Sequence, residues 1–175
     1  MKKLSVTGAE RMSLRFTRKE IEGLLFLLEL PKIPGTAFAP REPDQETLES
    51  LETGDWIQVY AESCMINRIA AMVMTNMAFS RAYLTVFQPE NVRCIALNVC
   101  RQMVTMLRDN GGKWIIIEPL ESATAAKHPF FQELKALKTD WTIALNEGTP
   151  VQGSIDSAEK IYRELEEKSH ADDHR

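Results

Sequence analysis

Residues 81–120 constrain the fold more than any other stretch of the chain. Three runs rich in Val, Ile, Leu and aromatic residues follow one another there: Arg81–Phe87 (RAYLTVF), Arg93–Leu107 (RCIALNV leading on to MVTML) and Lys113–Leu120 (KWIIIEPL). Turn-forming clusters separate them, Gln88-Pro89-Glu90-Asn91 and Asp109-Asn110-Gly111-Gly112, so the runs read as strands of an antiparallel meander. The middle run holds two strands if the chain turns near Cys100-Arg101-Gln102, which makes three or four in all. Asn110-Gly111-Gly112 reaches positive φ cheaply, as a two-residue or short bulged hairpin requires, and is the tightest connection expected. Ala82–Phe87 and Met103–Leu107 alternate, which predicts one packed face and one partly wet face.

Elsewhere the pattern is helical. Thr17-Arg18-Lys19-Glu20 reads as a capping box, and Ile21, Leu24, Leu25, Leu27 and Leu28 with Phe26 form a stripe wide enough for a helix wedged between two neighbours. Gly23 permits a close approach, and Pro31, Pro34 and Gly35 stop the helix and open an extended connector to Pro43. A second helix opens at Pro43-Asp44, anchored by Leu48 and Leu51 and capped by Gly54, and Asp55–Tyr60 is a short strand or a continuation into the next element. Met65, Ile66, Ile69, Ala70, Met72, Val73 and Met77 recur at three and four, predicting a long amphipathic helix over Ala61–Phe79 that covers the sheet. A short helix is expected over His128–Leu137 with Pro129 at its start, a last strand over Trp141–Asn146, and a surface helix over Asp156–Lys168. Met1–Arg15 alternates weakly and either adds an edge strand or lies loose, and Ser169–Arg175 reads as a frayed charged tail. Two-periodic and 3.6-periodic runs are segregated rather than interleaved, so the fold class is α+β, a single domain with an antiparallel meander covered by helices.

Composition narrows function by exclusion. A formal charge of -4 with scattered basic residues argues against a nucleic-acid binder, whose phosphate contacts need a concentrated basic surface. No apolar run reaches the roughly 20 residues that span a bilayer, and Met1-Lys2-Lys3 is not followed by a signal-peptide core, so a cytoplasmic protein without membrane insertion is expected. Cys64, Cys94 and Cys100 lack CxxC spacing and read as buried thiols, not as a disulfide framework or a zinc site. There is no phosphate-binding glycine loop, no GxSxG, no HExxH and no paired-carboxylate signature, so neither an enzyme, a cofactor nor a metal is indicated. His128 reads as a helix-start or surface residue, and His170 and His174 lie in the tail. Met65, Met72, Met74 and Met77 on one helix, with Met103 and Met106 on one strand, suit an irregular core or a surface that accepts several partner shapes. Trp56, Trp114 and Trp141 read as core at element edges.

The order of elements over Leu14–Leu137, carried by FTRKEIEGLLFLLELPKIPG, LESLETGDWI and KWIIIEPL, resembles the EspG-like proteins of type VII (ESX) secretion. The resemblance implies a cytosolic chaperone or adaptor with a twisted antiparallel sheet, which keeps a secreted protein soluble before export. It implies an EspG-like domain over residues 1–150, followed by a C-terminal helix and tail over 151–175. It also implies that loops at the end of the sheet, here Asp109–Lys113 with Asn110, Gly112 and Lys113, face a helical secreted partner. Residue chemistry adds the late helix, whose narrow stripe of Ile161, Tyr162 and Leu165 either docks on the domain or pairs with a partner helix. A homodimer stays open. The competing readings are a small-molecule-binding or enzymatic α+β domain whose site is assembled from distant residues, and a DNA-binding regulator using the helix pair over Thr17–Gly54.

Overall fold

The computed structural model describes residues 12–101 and 103–171. In chain order it contains β1 (Leu14–Phe16), α1 (Arg18–Leu27), α2 (Gln45–Thr53), β2 (Ile57–Val59), β3 (Cys64–Ile66), α3 (Arg68–Ala78), β4 (Ala82–Gln88), β5 (Arg93–Cys100), β6 (Met103–Asp109), β7 (Ile115–Leu120), α4 (Ala123–Lys135), β8 (Thr142–Leu145), β9 (Val151–Gln152) and α5 (Ile155–His170). The expected meander is β4 to β7, four strands joined by hairpins. It sits inside a seven-stranded sheet ordered β1-β7-β6-β5-β4-β8-β9, in which every pair is antiparallel. Trp141–Asn146 supplies β8 as its pattern predicts, and the weak alternation near the start supplies β1 on the outer side of β7. The rest of that early stretch, residues 1–11, lies outside the described residues, as do Gln102 and residues 172–175 of the tail.

Both faces of the sheet are covered, which corrects the expectation of one wet face. On one face Ala96, Leu107, Ile115 and Ile117, with Leu14 and Phe16, pack beneath α1, α2 and α3 against Ile21, Leu24, Leu25, Leu51, Val73, Met74 and Met77. On the other, Leu84, Val86, Ile95, Leu97, Val99, Val104, Met106 and Ile143 pack beneath α4 and α5 against Phe130, Phe131, Leu134, Ala158, Tyr162 and Leu165. Ala96, Asn98 and Thr105 are small or polar and so look like a wet face in the sequence, yet all three are fully buried. Where α3 does not reach, the connector after α1 runs across the strands as a strap. Asn98 Nδ2 donates to the Pro34 carbonyl (3.2 Å) and to Ser80 Oγ (3.0 Å), and Thr85 Oγ1 donates to the Gly35 carbonyl (3.2 Å). Gly35 is required there: its φ is +75°, and a Cβ would sit 2.5 Å from Thr85 Oγ1 and 2.7 Å from the Tyr83 ring.

The helix starts follow their caps. The Thr17 and Glu20 capping box is formed in both directions, Asp44 caps α2 through the Thr47 amide, and Ser154 caps α5. Gly23 brings α1 against Pro43, where a Cβ would meet Pro43 Cβ at 3.1 Å. Three local readings are corrected. The long helix over Ala61–Phe79 is only Arg68–Ala78, because Asn67 caps it by accepting from the Ile69 and Ala70 amides. The residues before it form β3, which pairs with β2 in a separate two-stranded ribbon. The helix expected from His128 instead begins at Ala123 under a Ser122 cap, with Pro129 inside it. The tightest connection of the meander lies between β5 and β6, since Cys100 pairs with Met103, whereas Asp109 pairs with Ile115 across a five-residue loop.

A candidate partner surface at one end of the sheet

The loop at residues 110–114 and the β4–β5 loop at residues 89–92 stand side by side at one end of the sheet. A Cβ on Gly111 (φ +75°) would lie 3.0 Å from the Asn91 carbonyl oxygen, so glycine lets the two backbones meet. Asp109 anchors the first loop by accepting from the Gly111 amide at 2.9 Å. Its carboxylate also faces Arg18 from the start of α1 at 3.6 Å, and Arg18 lies over the Phe38 ring at 4.6 Å. Cys94 is the cross-strand partner of Asp109. Burial pushes its thiol up to about 11, helped by the Asp109 charge and opposed by Arg18, so it is not a nucleophile near neutral pH.

Above this anchored base the loops are open. Asn110, Gly112 and Lys113 are all exposed, and a Cβ on Gly112 would touch nothing within 4 Å. Beside them Val92 is 63% exposed in a left-handed conformation (φ 51°), unusual for a β-branched residue. Phe87 is 40% exposed and Trp114 38% exposed. Trp114, which reads as core in the sequence, is therefore half out, with the Arg15 guanidinium 4.7 Å and the Lys113 ammonium 5.0 Å from its ring centre. The sequence marks this region only through its glycines; the cross-strand placement of Arg15 opposite Ile116 is what brings a second cation to the indole.

The other half of the expected surface is placed differently. Tyr162 and Leu165 are fully buried and Ile161 is half-buried, all facing the protein's own sheet and α4. The Tyr162 hydroxyl donates to the Ala123 carbonyl, and its ring lies 5.5 Å from Phe130 and 5.7 Å from Phe131. The stripe on α5 is thus core, and the outward face of the helix is polar. The two groups are also apart in space. Ala123 opens α4 just beyond Leu120, the end of β7 opposite residues 110–114, so the fold does not bring Tyr162 to the hairpin.

Two polar clusters elsewhere tie layers together. Arg108 joins Glu118 on β7 to Glu133 on α4, the latter at 2.6 Å, and Tyr83 donates to the Glu147 carboxylate. Burial and that carboxylate push the Tyr83 phenol up to about 12. Among the described residues no three His, Cys, Asp or Glu side chains converge as a metal site would need, and no helix is long and apolar enough to cross a membrane.

Comparison with protein-family models and with curated proteins gives no match. Comparison with solved structures does: the fold is similar to that of the Mycobacterium tuberculosis type VII secretion system chaperone EspG5, determined in complex with a PE25–PPE41 dimer. The TM-score is 0.56 at 10% sequence identity, over 74% of this chain and 53% of that one, so the chain matches about half the length of that chaperone. At that identity the likeness is one of fold.

Proposed function

We propose that this chain is a non-enzymatic, cytoplasmic adaptor of the EspG kind, which binds a helical secreted protein of a type VII-like export system at the sheet end built by residues 89–92 and 110–114. The observation that carries the reading is the shared α+β architecture with a chaperone solved together with its PE–PPE partner. The open end of the sheet supports it, since loops seated on a rigid scaffold are where binding residues concentrate. Asn110, Gly112 and Lys113 are the residues a partner would meet first. Ile161, Tyr162 and Leu165 act by holding α5 in place.

A photo-crosslinking amino acid at Gly112, where a side chain has open space, tests this in the native cell. The adaptor reading expects one exported protein, captured in stoichiometric amount and lost when the crosslinker is moved to exposed Lys160 on α5. Recovery of a bound metabolite with no polypeptide would favour the small-molecule reading instead.

A further inference from the structure

The edge formed by β1 and β7 carries two cations and one indole that the fold itself does not use. Arg15 and Lys113 are both exposed and both lie over Trp114, and among the described residues neither is paired with a carboxylate. The neighbouring charges are otherwise engaged: Arg18 faces Asp109 and Glu22, and Arg108 holds Glu118 and Glu133. Half-buried Ile116, the cross-strand partner of Arg15, lies on the same face of the sheet as Arg15. The result is an apolar floor flanked by two unneutralised positive charges in a chain whose net charge is -4. Tryptophan and arginine are the residues that most often dominate binding energy at protein interfaces, and an exposed indole packed against a cation is already held in one orientation.

Resting on the adaptor reading above, we infer that the Arg15–Trp114–Lys113 stack docks a partner segment in which carboxylates flank apolar residues. The apolar residues cover the indole and Ile116, and the carboxylates take up the guanidinium and the ammonium. Charge complementarity selects the occupant. A basic segment would meet two like charges, and the acidic balance of the chain as a whole disfavours nucleic acid and anionic lipid.

The test labels the full chain with 5-fluorotryptophan, which gives separate resonances for Trp56, Trp114 and Trp141, with Trp114→Phe assigning the signal. Three probes are titrated: a short helical peptide of Leu and Glu, its Leu and Lys counterpart, and phosphatidylglycerol vesicles. The expected result is a shift of the Trp114 resonance alone with the Leu/Glu peptide, weakened by added salt. Binding of that peptide should fall about fivefold or more in the double variant R15E/K113E, the scale that two exposed ion pairs supply. Both substituted side chains are exposed, so folding is retained and is checked by the unchanged Trp56 and Trp141 resonances. No response of Trp114 to the Leu/Glu peptide, an equal response to both peptides, or a stronger response to the vesicles overturns the inference. The two proposals fail separately. Capture of an exported protein from Gly112 with a silent Trp114 leaves the adaptor reading standing, whereas a responsive Trp114 without any captured polypeptide removes the adaptor reading and leaves the acidic docking point.

Discussion

Replacing Tyr162 separates a core helix from a docking helix. Its ring is fully buried beside Phe130 and Phe131, and its hydroxyl donates to the carbonyl of Ala123. Tyr162→Ala removes a large buried aromatic and leaves a cavity between α4, α5 and the sheet, which at the scale of comparable truncations costs about 4 kcal/mol. For a chain of this length each kcal/mol lowers the melting temperature by roughly 2–4 °C, so a fall of about 8–16 °C is expected. Tyr162→Phe keeps the ring and loses one hydrogen bond, for about 1 kcal/mol, or roughly 2–4 °C. Calorimetry on both variants, with binding of the captured exported protein measured well below either transition, makes the comparison. If Tyr162→Ala melts with the unmodified protein while binding disappears, α5 is a partner surface and its packing as described here is wrong.

The loop residues behave in the opposite way. Asn110→Ala should change the urea midpoint by less than about 0.5 kcal/mol-equivalent while weakening partner capture, because its side chain is exposed on the loop that a partner would meet first. Gly35→Ala should destabilise by about 2 kcal/mol or more, read from the same urea curves, since it combines a positive φ with contacts to Thr85 and Tyr83. Arg108→Ala leaves the Glu118 and Glu133 carboxylates facing each other across the sheet–helix seam and should cost about 3 kcal/mol, read as a lower urea midpoint. On the alkaline side, the Tyr83 phenol holds its proton to about 12 and buried Tyr162 is also raised, so the folded state binds more protons than the unfolded chain once pH passes about 10. Stability from these groups is complete below that pH and declines above it. Urea midpoints that stay level between pH 9 and pH 11 would refute this.

The parts of the fold that were legible in the sequence are those where one local signal had no competitor. Thr17 and Glu20 point to one capped helix start, Pro43-Asp44 to another and the Arg81–Leu120 runs to an antiparallel meander, and the structure has each, whereas the Asp109–Gly112 cluster marks a turn that is a five-residue loop and not the tight hairpin expected. Misreadings arose where two signals overlapped. Met65 and Ile66 continue the three-and-four spacing of α3 by accident, so periodicity carried the helix back through a ribbon, although Asn67 offered a cap that marks its true start. Pro129 invited a helix start because proline favours the first turn, while Ser122 and the alanines after it were the stronger signal. Face assignment failed for a different reason. Asn98 and Thr105 are polar by composition yet fully buried, and Asn98 is held by the Pro34 carbonyl, some sixty residues away in sequence, and by Ser80. The candidate site shows the same division. Glycines that build the hairpin are visible locally, but the pairing of β1 with β7 that sets Arg15 over Trp114 is a long-range contact between residues about a hundred positions apart, which no window on the sequence contains. A side chain whose role depends on such a pairing reads as ordinary, which is why Trp114 reads as core in the sequence and Arg15 only as the end of a weakly alternating stretch, although the sheet order places them together.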